Sequence, residues 1–322
     1  MAPWGAGAVA VLGCVFLQTQ LYTGQVRVVT AVFMFIVLAQ SWNLIGGFTG
    51  YASFGQVVFF GLGGYTTAVL MSHARWPFWP SMAAAGLVAA AFAALIGLPL
   101  LRLRGHYFAI ATLGVAEGTR ELVINAPDLT GGGAGITIPT FGADVPTPYP
   151  GVDGFYVIFL VLATVTVVVA ALVTRGRFGM AMRAIHQDEE AAASMGVNTT
   201  RTKVAAFALS GFFAGLAGSA YTFQLVTVYP DRMFDVEITV LMVIMVVIGG
   251  AGTILGPLLG AVGLQFLSEW LRQSFTEYHT FILGTIIILV VVLMPEGVVT
   301  YVRDAWRTRD FSPLANIRRY RL

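Results

Sequence analysis

The sequence predicts an all-α polytopic membrane protein of about ten transmembrane helices with both termini on the cytoplasmic side. Three observations predict it. Hydrophobic residues make up 57% of the 322-residue chain and charged ones 11%, where a soluble domain carries about 25% charged residues. The apolar residues gather into runs of roughly 20, the length that crosses a bilayer core as a helix. The basic residues between those runs are unequally shared between the two sides, which sets the orientation. A soluble fold would need far more surface charge, and 23 Phe, 11 Tyr and 6 Trp argue against disorder.

In chain order the runs cover 5–22, 26–45, 50–72, 81–101, 106–124, 154–174, 203–226, 236–254, 256–272 and 279–295. The first lacks the basic start of a signal peptide and reads as a span. Around the second and third, residues 46–64 hold seven glycines, so half-helices are expected there. Residues 249–263 hold six and begin alike, Gly249-Gly250 with Gly252 and Gly256 echoing Gly46-Gly47 with Gly50 and Gly55. Gly-broken spans at corresponding places in two halves point to a translocation pathway. The competing reading is close helix packing through Gly46/Gly50, Gly211/Gly215 and Gly252/Gly256/Gly260. Strict two-residue alternation is missing, which argues against a barrel.

With the connection 175–203 placed inside, thirteen of the eighteen basic residues fall on that side: Arg102 and Arg104, five in 175–203, and six between Arg303 and Arg321. The basic tail 296–322 is expected to face anionic lipid. On the other side, residues 125–153 carry five prolines, six glycines, three aspartates and no basic residue. A loop that long is either functional or a disordered connector. Together these segments give a single transmembrane domain, 1–322.

Several chemistries are excluded. One cysteine, Cys14, rules out disulfide frameworks and multi-cysteine metal sites. His73, His106, His186 and His279 show no paired metal spacing. The single lysine, Lys203, follows Arg201-Thr202, so no phosphate-binding GxxxxGK[ST] loop exists. The near-neutral net charge of +2 does not suit nucleic acid. The chain is thus expected to hold no cofactor and no metal, and not to be an enzyme.

The inside connection is built to protrude. From Phe178 to Met195 it is rich in helix formers without proline, so one helix is expected, turning at Gly196 in the left-handed conformation. Asn198-Thr199-Thr200 is placed to cap the next helix. Glu190-Ala191-Ala192 followed by Gly196 matches the EAAxxxG signature of ABC importer permeases. The surrounding stretch GRFGMAMRAIHQDEEAAASMGVNTTRTKVAAFALSGFFAGLAGSAY resembles the branched-chain amino-acid ABC permease family, in particular its LivM-type subunit. So do residues 43–70, 101–122, 129–136 and 247–261, so the resemblance spans roughly 40–300.

The resemblance implies a type II importer-like permease in the bacterial inner membrane. It implies a homologous second permease of LivH type, two ATPase subunits that bind ATP and Mg, and an extracytoplasmic solute-binding protein. It further implies that Glu190, Ala191, Ala192 and Gly196 form the element coupled to the ATPases. Two features depart from common patterns: Phe207-Ala208-Leu209-Ser210 stands where many importers carry IxLP, and Gln56 stands where many relatives carry His. Gln56 leaves urea or short amides open as solutes beside branched-chain amino acids. A secondary carrier or channel would leave the EAA segment unexplained.

Polar side chains inside apolar spans are expensive and tend to be functional. Gln40, Asn43, Ser53 and Gln56 are therefore candidate pathway residues, with Ser41 beside them, unless they serve hydrogen bonds between helices. Glu117, Arg120 and Glu121 share one helical face. They form either a self-satisfied ionic patch near the outer interface or a contact that admits solute, and Glu117 is the candidate there.

Overall fold

The computed structural model describes residues 13–15, 18, 20–139, 147–275, 277–293 and 297. The run expected at 5–22, the tail 296–322 and residues 140–146 lie wholly or largely outside them. The described helices are α1 (Thr23–Thr49), α2 (Gln56–Ser72), α3 (Phe78–Leu100), α4 (His106–Ile124), α5 (Gly151–Arg175), α6 (Arg177–Gln187), α7 (Glu189–Ser194), α8 (Thr199–Leu225), α9 (Val236–Gly249), α10 (Leu255–Ser274) and α11 (His279–Leu293), with single helical turns at Pro127–Thr130 and Pro230–Met233. Among the described residues α1, α3, α5 and α8 are long and apolar enough to cross a membrane, and α2 and α11 are apolar but shorter.

Helix α1 is the axis of the bundle. It has no preferred apolar face, as expected of a helix buried on all sides, and every residue from Val32 to Ile45 is buried. It packs against α5, α8, α9 and α10. Helix α8 lies between α2 and α3. There Gly211 and Gly215 face Ala93 and Ala89 of α3, and a Cβ on Gly218 would collide with the Phe60 carbonyl of α2. Lipid tails are as apolar as these side chains, so close backbone contact is what holds such helices together. For Gly211/Gly215 the packing reading holds. Helix α3 turns Leu87, Leu95 and Leu98 outward, as a helix against hydrocarbon would.

The run expected to begin at residue 50 becomes helical only at Gln56. Gly50 ends α1 with φ 78°, its N–H donating to the Ile45 carbonyl. Gly55 then passes so close to the Thr112 carbonyl of α4 that a Cβ would overlap it. The second Gly-dense segment breaks in the same way between α9 and α10, with Gly250 at φ 116°. The last turns of α1 reach this second break: Gly47 lies against Gly252, Asn43 Oδ1 accepts from the Gly252 N–H at 2.9 Å and Asn43 Nδ2 donates to the Thr253 carbonyl at 2.7 Å.

The inside connection departs from the single helix expected over Phe178–Met195. It is two helices, α6 and α7, parted at Asp188, whose backbone is extended (φ −158°, ψ 114°). The cause is capping: Asp188 Oδ1 accepts from the N–H groups of Glu190 (2.8 Å) and Ala191 (3.0 Å). The outer loop is also less free than its composition suggests. Its strand β1 (Ile136–Thr137) pairs antiparallel with β2 (Thr227–Val228), and Thr147 Oγ1 accepts from the Phe78 N–H at 2.8 Å.

Candidate functional site

Helices α6 and α7 form an elbow at the end of the bundle where α5 finishes and α8 starts. Helix α6 buries Gly179, Met182 and Ile185. Helix α7 closes with two reverse backbone bonds, Val197 N–H to the Ala192 carbonyl and Gly196 N–H to the Ala193 carbonyl, the pattern of a Schellman cap. That cap needs a left-handed residue, and Gly196 supplies it at φ 87° with open space around it. Asn198 then caps α8 by accepting from the Arg201 N–H.

The EAA residues face different ways. The Glu190 side chain is 78% exposed and pairs with Arg104, Nη1 to Oε1 2.8 Å. Ala191 is exposed, but Ala192 is fully buried. Of the four residues expected in the coupled element, Ala192 thus seats α7 on the bundle while Ala191 faces outward, because successive helical residues point about 100° apart.

Beneath the elbow lies a charged node that the sequence reading missed. The Lys203 side chain is 4% exposed. Its ammonium donates to Glu189 Oε1 (2.6 Å), the Tyr51 hydroxyl (2.9 Å) and the Leu101 carbonyl (2.8 Å), so all three donors are used. The Tyr51 hydroxyl in turn donates to Glu189 Oε2. Four elements therefore meet at one cation: the break after α1, the end of α3, α7 and α8. Burial alone raises the Glu189 carboxyl, but the hydrogen bonds from Lys203 and Tyr51, with the charges of Lys203 and Arg104, outweigh it and hold the group below its ordinary value. The available signals were faint: Lys203 is the chain's single lysine, and Glu189 sits in an acidic run that reads as solvated.

The candidate pathway residues separate into different environments. Gln56 Nε2 donates to Ser210 Oγ at 2.7 Å and approaches Ser41 Oγ at 3.4 Å, while Ser210 Oγ donates to the Ser41 carbonyl at 2.7 Å. Among the described residues, Gln56 Oε1 and both amide atoms of Gln40 are buried without a hydrogen-bond partner. Ser53 lies in the break, where its carbonyl accepts from Trp42 Nε1 at 2.6 Å. Asn43 ties α1 to the break between α9 and α10 with both ends of its amide in use, which is a structural role. Glu117 lies at the opposite end of the bundle from Lys203 and does not join this cluster. There Arg120 binds Glu117 (2.5 Å), Asp231 (2.6 Å) and Glu121 (3.2 Å). Helix α4 buries Phe108, Thr112, Ala116, Thr119 and Val123 and exposes the face that carries Glu117 and Glu121.

Residues 24–291 match the protein family described as branched-chain amino acid transport system / permease component. The chain is 35% identical over 310 residues to the high-affinity branched-chain amino acid transport system permease protein LivM of Salmonella typhimurium, covering 89% of this chain and 72% of that protein. It is 33% identical, with the same coverage, to LivM of Escherichia coli strain K12. A shorter stretch of 120 residues, 36% of this chain and 37% of the relative, is 32% identical to the ribose import permease protein RbsC of Haemophilus influenzae. No solved structure gives a significant match.

Proposed function

The chain belongs to the family of branched-chain amino acid transport system permease components, and from that premise we propose that it is the pore-forming permease subunit of an ABC importer for branched-chain or related amino acids. It works in the bacterial inner membrane beside a homologous second permease, with both termini inside. A solute-binding protein delivers the solute from outside, and two ATPase chains bind ATP and Mg. The observation that carries this reading is the α6–α7 elbow. It presents exposed Glu190 and Ala191 outward from the bundle, while Met182, Ile185, Ala192 and Glu189 anchor it inward. A chain without a phosphate-binding loop must receive its energy through contact, and this is a rigid surface suited to that contact.

Solute passes beside the two Gly-dense segments, where Gln40, Ser53 and Gln56 supply uncharged polar atoms. Unsatisfied amide atoms at Gln40 and Gln56 favour transient hydrogen bonds to a zwitterion over a fixed structural use. The exposed face of α4 lines the outer mouth, because carboxylates such as Glu117 and Glu121 are too costly against hydrocarbon.

The test is uptake by proteoliposomes holding the purified complex, with ATP and Mg supplied to the ATPase side and leucine or urea offered with the solute-binding protein. The expected result is leucine uptake that requires ATP, the ATPase chains and the binding protein. Urea uptake instead of leucine would reassign the solute. Leucine uptake without the ATPase chains would overturn the importer reading in favour of a carrier or channel.

A further inference from the structure

The Lys203 node lies between the elbow and the break that precedes Gln56, and it is the buried connection joining them. We propose that Lys203, Glu189 and Tyr51 form a charge-locked latch that carries elbow motion into the Gly50–Gly55 break, so that these three residues set how tightly ATP hydrolysis is coupled to transport. The inference rests on the elbow being the ATPase-docking element.

The geometry supports transmission at each joint. Glu189 opens α7, one residue from the exposed Glu190. It is gripped by Lys203 and by Tyr51, which is only 9% exposed and directly follows Gly50. Gly50, at φ 78°, occupies the hinge position, and the ring of His186, in the last turn of α6, lies against it at the distance where a Cβ would meet it at 3.4 Å. Both arms of the elbow thus bear on the same break, one through a salt bridge and one through van der Waals contact. On the far side, the break is tied to the helices that line the proposed pathway. The Ser53 carbonyl accepts from Trp42 of α1, the Phe54 N–H donates to Thr112 Oγ1 of α4 at 3.0 Å, and the Val57 N–H donates to Thr239 Oγ1 of α9 at 3.0 Å.

A buried ion pair is a weak device for stability, since desolvation offsets most of the attraction. It is a good device for transmitting displacement, because neither charge can be left behind without a large penalty. An apolar contact at the same place would slide. The Arg104 pair with Glu190 is exposed and supplies no such penalty.

Tyr51→Phe is the discriminating variant. It removes one hydroxyl and with it both hydrogen bonds from the break to the latch, so that only the ring against Lys203 remains, and it leaves the direct Lys203–Glu189 pair and the Lys203–Leu101 bond in place. The complete complex is reconstituted with ATP, the solute-binding protein and leucine, and solute moved per ATP hydrolysed is measured together with the amount of assembled complex. The ratio is expected to fall at least fivefold in Tyr51→Phe at wild-type assembly, and to fall similarly in Glu189→Gln. A ratio within twofold of wild type in both variants overturns the latch, as does a fall in uptake that only follows loss of assembled complex. If the wild-type complex shows no ATP-driven uptake of any solute, it is the importer reading that fails.

Discussion

Replacing Lys203 with Met tests whether the node is a true buried ion pair. Met fills most of the volume of the lysine stem but leaves Glu189, whose side chain is 16% exposed, without its cation. The remaining positive group, Arg104 Nε, is 3.8 Å away on a side chain that is 61% exposed, and the Leu101 carbonyl loses its donor. Removing one partner of a buried pair costs about 3–5 kcal/mol. The residual access of Glu189 to water and the Tyr51 hydroxyl places this case at the low end, about 3 kcal/mol. At roughly 2 °C per kcal/mol for a chain of this size, the melting midpoint should drop by about 6 °C. Adding Glu189→Gln removes the stranded charge while keeping an acceptor for Tyr51, so the double variant should recover at least about 1.5 kcal/mol. The assay is thermal unfolding of the purified complex at one fixed scan rate, because membrane complexes unfold irreversibly. A Lys203→Met protein as stable as wild type would refute the reasoning. So would a double variant less stable than the sum of the two single losses.

Other outcomes follow from the same geometry. Since the folded Glu189 carboxyl lies below its unfolded value, its contribution is complete above the unfolded value, near pH 4.3 for a free Glu, and is lost as pH falls through the depressed one. The stability difference between wild type and Glu189→Gln should therefore hold through neutral pH and close only in acid; a difference that closes near pH 6 contradicts it. Gly196→Val should cost about 1–2 kcal/mol of backbone strain, because φ is 87° and no neighbour is close, and should abolish ATP-driven uptake at normal membrane insertion; normal coupling would show that the turn does not aim α7. Gln56→Leu should leave assembly intact, because Ser210 keeps its bond to the Ser41 carbonyl, while altering uptake of leucine relative to other solutes; unchanged kinetics would make Gln56 structural. Shortening 140–150 should weaken docking of the solute-binding protein while the pairing of β1 with β2 keeps the start of the loop anchored, and an unchanged docking affinity would assign that segment to connection alone.

What was legible in the sequence depended on how local its cause was. Span-length apolar runs located α1, α3, α4, α5 and α8 closely, because twenty apolar residues have one economical conformation in hydrocarbon. The helix C-cap at Gly196 was legible for the same reason, since the left-handed residue and the turn it permits are adjacent in the chain. The split at Asp188 was not, although its cause is equally local. An acid followed by Glu-Glu-Ala-Ala reads as helix interior and as N-cap with equal ease, and only the burial of Glu189 against Lys203 selects the cap. That pair spans 14 residues, beyond the reach of a local capping pattern.

The same limit explains the site. Gln40, Asn43, Ser53 and Gln56 were visible as polar residues in apolar surroundings, but not how they would divide. Asn43 went to the clamp between α1 and a Gly-dense break some 210 residues on, whereas Gln40 and the Gln56 carbonyl kept unsatisfied atoms among the described residues. Tyr51, Leu101, Glu189 and Lys203 carry no shared motif; what joins them is the three donors of one ammonium. A chain with a single lysine, placed at the start of a buried helix, has put its most strongly hydrated side chain where hydration is least available. Such a placement is tolerable only with every donor satisfied, and satisfying them draws four elements to one point. The α6–α7 elbow and the break before Gln56 are thereby tied to the same ammonium, through Glu189 and Tyr51. A fold that needed only stability would have been served as well by apolar residues in place of the whole Lys203–Glu189 pair.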